Sequence, residues 1–302
     1  VLRAEGIGKR FGAVTALQDV SFALPRGTMT IISGADGAGK STLLKILVGL
    51  VRRDQGLLVL HDREIGSDFT PVTSICGYMP ERFSLYTDLT VEENLDFFAA
   101  IHQVPVARLR EMKTRMLEKT GMAPFRDRRA GALSGGMKQK LALSVILLSS
   151  PDLILLDEPT TGVDPLSRIE FFDILQELKA EGKTIALTTP YLDEAEKGDY
   201  VIFLKEGQVL AQDSIRSLLD RFPARLLRIV PRESIFAAME ELEQNPLMRG
   251  RAYMRGNAIH ILQLKGESWA PPFPVDAIGE EPPSLEDIFI YYERQLARGE
   301  SS

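Results

Sequence analysis

The run Gly34-Ala35-Asp36-Gly37-Ala38-Gly39-Lys40-Ser41 constrains this chain more than any other feature. It fits the spacing G-x-x-x-x-G-K-[ST]. Glycines at these places let successive backbone N–H groups turn toward one point, and a helix that follows adds the positive end of its dipole. The flanks agree with that geometry. Thr30-Ile31-Ile32-Ser33 is a short β-branched run, and Ser41 to Leu50 repeats apolar residues at Leu43, Leu44, Ile46, Leu47 and Leu50. In that context the run reads as a nucleotide-binding loop rather than a plain glycine-rich turn. Lys40 would reach the outer phosphates and Ser41 would hold Mg²⁺.

A second region completes such a site. Leu153-Ile154-Leu155-Leu156 is apolar without alternation and bounded by Pro151 and Pro159, which marks a buried strand. Asp157 at its end can orient Mg²⁺, and Glu158 beside it can polarise an attacking water. A third motif, Leu133-Ser134-Gly135-Gly136-Met137-Lys138-Gln139, opens a helix through Leu147. Ser-Gly-Gly alone would read as an ordinary helix cap. Its place 23 residues before Asp157, in a chain that already has a phosphate loop, suggests a second phosphate-binding helix start. Two nucleotides would then be shared across a dimer.

Composition narrows the class. The 302 residues predict about two domains, and 44% apolar with 26% charged residues excludes a disordered or collagen-like chain. The single cysteine, Cys76, permits no intrachain disulfide and fits a reducing compartment. One cysteine and three scattered histidines (His61, His102, His260) make no zinc site. A net charge of -6 argues against free nucleic acid as a partner. No stretch approaches the roughly 18 to 20 apolar residues of a membrane span, and the first five residues have no apolar secretory core, so work at a membrane would require docking onto other subunits.

Along the chain, strand and helix signals alternate through the first third, with another strand at Leu57–Leu60. A helical stretch follows at about 90–148, in which Leu95, Phe97, Phe98 and Ile101 recur at helical spacing and Arg108 to Lys119 forms a charged helix. Ile169 to Glu181 reads as a helix, with strands at Thr184–Thr188 and Val201–Leu204. The character changes near Phe222-Pro223. Residues 1–220 are expected to form the nucleotide-binding domain and 221–302 a small α+β extension. In the extension, strands at Arg225–Val230 and Ala258–Leu264 flank a helix at Ser234–Glu243. The five prolines between Ala270 and Pro283 read as a linker (about 270–283), after which Ser284 caps a last helix through Leu296. The arginines 126, 128 and 129 read as a solvated loop, and Met112, Met116 and Met122 as core filler. Trp269 would cover an apolar patch.

With these motifs in this order, residues 2 to 215 resemble the ATP-binding subunits of ABC transporters. The resemblance implies an α/β fold: a P-loop NTPase with a RecA-like sheet core, an antiparallel β edge and an inserted helical subdomain. By resemblance, Phe11 stacks on adenine, and Gly34, Ala35, Asp36, Gly37, Ala38, Gly39, Lys40, Ser41 and Thr42 hold the phosphates. Ser134, Gly135 and Gly136 form the signature that completes a partner's site. Asp157, Ser41 and Glu81 are the expected Mg²⁺ groups, with Glu158 and Lys40 as catalytic residues. Thr161-Gly162-Val163-Asp164 is similar to the family's D-loop. Gly77 to Glu81, with Leu85-Tyr86 and Leu89-Thr90, is similar to the loop that meets the membrane subunits. The tail Pro283-Ser284-Leu285-Glu286-Asp287-Ile288-Phe289 is similar to that of drug-type and ABC-2-type exporters. The family implies ATP and Mg²⁺ as cofactors, transmembrane permease subunits as partners, and a peripheral position on the cytoplasmic face of the inner membrane. It also implies a head-to-tail dimer, here a homodimer or a heterodimer with a second ABC ATPase.

The chain departs from the family where a switch histidine would follow Leu187-Thr188-Thr189: it has Pro190. Proline offers neither a side-chain donor nor a backbone N–H, and losing one such contact typically costs about 10²- to 10³-fold in rate. Asp36 stands for a frequent Asn, and Glu81 for a frequent Gln. The leading expectation is an ATPase subunit powering an exporter, with its own site impaired. A non-hydrolysing regulatory half that pairs with an active partner is the alternative, as in the first half of tandem exporter ATPases. A soluble ABC ATPase acting on ribosomes or DNA would be expected to show two cassettes, a coiled coil or a basic surface.

Overall fold

In the computed structural model, which describes residues 1–297 apart from 83, 246–247, 249–250, 265 and 268, the chain divides into two compact units between Val209 and Leu210. The first opens with β1 (Leu2–Phe11), β2 (Val14–Leu24), β3 (Met29–Ser33), α1 (Lys40–Leu47), β4 (Gln55–Leu60), β5 (Arg63–Ile65), α2 (Thr70–Thr73) and β6 (Cys76–Met79). Three helices follow, α3 (Val91–Ile101), α4 (Val106–Lys119) and α5 (Gly135–Leu147). The chain then alternates through β7 (Leu153–Asp157), α6 (Pro165–Ala180), β8 (Thr184–Thr189), α7 (Leu192–Ala195), β9 (Tyr200–Lys205) and β10 (Gln208–Ser214), inside which the division falls.

One sheet has the order β10-β9-β3-β8-β7-β6, parallel from β9 to β6. Every residue of β3, β7 and β8 is buried, as the unbroken apolar runs of a parallel sheet require. The second sheet, β2-β1-β4-β5, is antiparallel. Leu43, Leu44, Ile46 and Leu47 of α1 join Leu2, Ile7 and Leu24 of that sheet and Leu153, Leu155 and Leu204 of the parallel sheet in one core. The phosphate loop is thereby anchored on both sides. This is the α/β P-loop fold with an antiparallel edge and a helical insertion.

Helix boundaries follow their caps. α3 starts at a capping box, with Thr90 and Glu93 each accepting the other's backbone N–H. α6 begins at Pro165, ahead of the expected Ile169, because the Asp164 carboxylate accepts the Ser167 N–H at 3.0 Å and proline suits the first turn. α1 stops at Leu47 rather than Leu50, since Gly49 takes φ 79°. Two of the helical positions expected as one apolar face, Phe97 and Ile101, are exposed. Met116 and Met122 are buried, as core filler should be, and Arg126 pairs with Glu92 at 2.9 Å.

The second unit holds α8 (Ile215–Asp220), β11 (Ala224–Pro231), α9 (Ile235–Gln244), β12 (Ala252–Arg255), β13 (Ala258–Leu264), β14 (Val275–Glu281) and α10 (Leu285–Ala297). Its sheet is antiparallel, in the order β12-β13-β11-β14. Ala238 and Leu242 of α9 pack with Ile229, Ile259 and Ile261 of the sheet, and Trp269 and Phe273 lean on that cluster. The region expected as a proline-rich linker at 270–283 is not one, because it contains β14, paired with β11. All five prolines fall outside the strand: Pro271, Pro272 and Pro274 before it, Pro282 and Pro283 after it. Proline has no N–H for a ladder, so here it brackets a strand rather than preventing one.

Candidate nucleotide-binding site

The loop between β3 and α1 depends on two glycines for different reasons. A Cβ on Gly34 would lie 2.1 Å from the Leu204 carbonyl oxygen, so the close approach excludes a side chain. Gly39 takes φ 103°, and a Cβ there would lie 2.5 Å from the Ala16 carbonyl oxygen. No side chain caps the start of α1, which leaves its first N–H groups for an anion. Lys40 is buried. Its ammonium donates to the carbonyls of Gly34 at 2.8 Å and Ala35 at 3.1 Å, and pairs with Glu158 Oε1 at 3.2 Å. The exposed Asp36 carboxylate stands 4.0 Å from the same ammonium.

At the end of β7, fully buried Asp157 accepts from Ser41 Oγ and from Thr188 Oγ1, both to Oδ1 at 2.8 Å. Tyr78 OH donates to its Oδ2 at 3.5 Å, and burial together with the Asp157 charge pushes the Tyr78 phenol pKa up. The Ser41 hydroxyl and the Asp157 carboxylate are hard oxygen donors, a set that suits Mg²⁺ bound jointly with phosphate. Glu158 takes φ 47°, an uncommon conformation for a residue with a side chain. It is held there by its N–H donating to Thr188 Oγ1 at 2.9 Å and by Thr161 Oγ1 donating to its Oε2 at 3.2 Å. Thr161 entered the sequence analysis only as the first residue of the D-loop-like run, and Thr188 was not singled out as a site residue. Thr188 had a weak signal as the last residue of the strand expected at Thr184–Thr188, and the parallel register of the structure sets it opposite Asp157.

Lys40, Ser41 and Glu158 border a cleft of about 500 Å³, to which buried Asp157 is joined through Ser41. Asp36, Gly37, Gly39, Lys40, Ser41, Thr42, Glu81 and Glu158 line it, with Val14, Thr15 and Ala16 of β2 on one side and Thr161, Pro190 and Tyr191 on another. Pro190 follows directly on β8. Behind it, buried Glu194 accepts from Thr160 Oγ1 at 2.6 Å and Thr189 Oγ1 at 2.5 Å, and Arg168 covers the Tyr191 ring at 4.7 Å. Phe11 is half-exposed at the end of β1, opposite Val14. Ser134, Gly135 and Gly136 are not among the residues lining the cleft. Ser134 is the cap of α5, accepting the Met137 N–H at 3.3 Å. Ser134 and Gly135 face solvent, whereas Gly136 is buried against α6, where a Cβ would fall 2.4 Å from Ser167 Cβ. Gly136 thus serves packing within the chain, while Gly135 is exposed.

A glycine-cradled lysine at a helix start, with a Ser–Asp pair and a glutamate across a cleft, defines a P-loop nucleotide-binding protein. The ABC transporter family profile matches residues 17–161. The chain is 36% identical over 299 residues to the probable multidrug ABC transporter ATP-binding protein YbhF of Escherichia coli, covering 96% of this chain and 51% of that protein. It is 31% identical over 305 residues to the Nod factor export ATP-binding protein I of Ralstonia nicotianae, covering 96% of this chain and 92% of that one. The ATP-binding cassette MJ0796, solved as a dimer in a post-hydrolysis state with ADP and Pi, superposes with a TM-score of 0.64 at 25% identity, over 71% of this chain and 98% of that one. The chain belongs to the ATP-binding proteins of the ABC transporter family. It spans about half the length of YbhF.

Proposed function

We propose that this chain is the ATP-binding motor subunit of an ABC-type exporter, acting through separate transmembrane subunits. The observation that carries this reading is the cleft lined by Lys40, Ser41 and Glu158, with buried Asp157 bonded to Ser41. Both relatives named above are described as multidrug or export proteins. Among the described residues no helix is long and apolar enough to cross a membrane. A groove lined by Pro80, Leu85, Phe98 and His102, beside exposed Tyr86 and Phe97, is the surface that would receive a membrane subunit.

In this reading Lys40 and the N–H groups of α1 hold the β- and γ-phosphates. Ser41 and Asp157 would hold Mg²⁺, with Glu81 at the cleft wall. When bound, Mg²⁺ would supply charge neutralisation at the phosphates. Glu158, held by Thr161, orients the attacking water and accepts its proton. The exposed Ser134 and Gly135 would close over the nucleotide of a second cassette, with that cassette's signature closing over this one. Pro190 lines the place where a further donor would face the γ-phosphate and supplies none, so turnover at this cleft is slow. That observation also supports the second reading, a regulatory half that binds ATP beside an active partner.

The test is an equilibrium titration of the purified chain with MgATP and with adenosine. Binding of ATP that falls about 10²-fold or more in Lys40→Ala is expected, since truncation removes the phosphate contact and leaves the Glu158 carboxylate without its counter-charge. Equal affinity for ATP and adenosine would contradict the reading.

A further inference from the structure

The end of β1 carries an arrangement that the phosphate site does not explain. The Lys9 ammonium sits over the Phe11 ring, 5.1 Å from its centroid. It is fixed there. Its Nζ pairs with Asp54 Oδ1 at 2.9 Å, and its side chain is only 13% exposed. Asp54 is fixed in turn: its Oδ2 accepts the Arg10 N–H at 2.8 Å, and its own N–H donates to the Gly8 carbonyl at 2.9 Å. The Lys9 ammonium, followed by the Arg10 N–H, holds the Asp54 carboxyl below its ordinary range.

Phe11 pairs with Val14 across the hairpin, and Val14 and Thr15 line the cleft. The ring therefore stands at the rim beyond the phosphate loop, half-exposed, with a cation on one face. A planar base arriving from the cleft would stack on the part of the ring left exposed. The cation is attracted to the ring's negative face and restrains the ring from turning.

We propose that Lys9 and Asp54 form a positioning pair for the nucleotide base: they pin Phe11 and reserve its exposed part for a purine ring. This rests on the reading of Phe11 as the base-stacking residue. The pair contributes to the base-dependent part of affinity and not to the phosphate-dependent part.

The experiment compares MgATP with magnesium tripolyphosphate, which has phosphates and no base, by equilibrium titration of the full chain. Wild type is set beside Phe11→Ala, Lys9→Gln, Asp54→Asn and Lys9→Arg, with melting curves confirming that each is folded. Phe11→Ala is expected to weaken ATP binding at least about 5-fold, the low end for base–aromatic stacking. Lys9→Gln and Asp54→Asn are expected to weaken it about 2- to 5-fold. Tripolyphosphate affinity stays constant throughout, and Lys9→Arg, which keeps a cation on the ring, retains ATP affinity. A loss in Phe11→Ala with none in Lys9→Gln and Asp54→Asn overturns the pair's role and leaves the Phe11 reading standing. No loss in Phe11→Ala overturns both. An equal loss of ATP and tripolyphosphate in Lys9→Gln makes Lys9 a phosphate-attracting charge and overturns the proposal.

Discussion

Two helix starts in this chain look alike in sequence and differ in what surrounds them. At α1 the glycines bend the chain so that no side chain caps the helix, and Lys40, Ser41, Glu158 and Pro190 line the cleft in front of it. At α5 Ser134 supplies the cap, and the turn faces solvent. The first start is a nearly finished half-site. The second is rigid and presented, and it needs a surface from another molecule. The comparison teaches that a glycine beside a helix start is not one feature. Gly34 and Gly39 serve the loop's shape, Gly136 serves packing against Ser167, and Gly135 faces solvent with the Gly162 carbonyl oxygen 3.3 Å from where a Cβ would stand.

The largest effect that would sharpen this contrast is expected from Gly34→Ala. Its Cβ would meet the Leu204 carbonyl, backbone that cannot step aside, so destabilisation of about 3 kcal/mol with loss of ATP binding is predicted, read by thermal melting and titration. Gly136→Ala comes next, at about 1–3 kcal/mol, because Ser167 must shift. Adding Ser167→Gly should return much of that loss, and additive destabilisation in the double variant would break the packing explanation. Ser134→Ala should cost about 1 kcal/mol through the lost cap while leaving the ATP affinity of the isolated chain unchanged. A fall in that affinity would mean the signature turn serves its own chain's cleft.

The smallest effect comes from a region that contrasts with the cleft in another way. Asp157 and Glu158 are well partnered, whereas both ring nitrogens of buried His260 have no hydrogen-bond partner, the Glu281 carboxylate lying 3.6 Å away. Burial first, then the charge of Arg255, pushes the His260 pKa down. A histidine with a depressed pKa binds its proton more readily when unfolded. Its contribution is therefore complete above the ordinary value near 6.5 and is lost as pH falls below that value. Acidification below about pH 6.5 should lower stability, and His260→Gln should flatten that slope in melting curves. An unchanged slope would place the acid sensitivity elsewhere.

Much of the site was legible because its chemistry lies in contiguous runs. The glycine-lysine loop, the acidic pair after an apolar strand and the Ser-Gly-Gly turn each show within eight residues or fewer. What escaped depends on pairing between distant segments. Thr188 reaches Asp157 across 31 positions through strand register, and Lys9 reaches Asp54 across 45. Neither spacing repeats in a pattern that sequence alone displays. β14 escaped for another reason: five prolines crowd its flanks, and turn chemistry masked a strand lying wholly between them. Pro190 was visible as a departure, and the structure adds its place on the cleft wall.

In the proposed function the cleft binds ATP and turns it over slowly for want of a donor at position 190. Steady-state ATP hydrolysis by the purified chain and by Pro190→His tests it most directly. The account predicts ATP binding with little turnover in the unmodified chain and at least a tenfold gain in Pro190→His, toward the roughly 10²- to 10³-fold that one such contact provides. Brisk turnover by the unmodified chain, abolished by Glu158→Gln and not raised by Pro190→His, would contradict it.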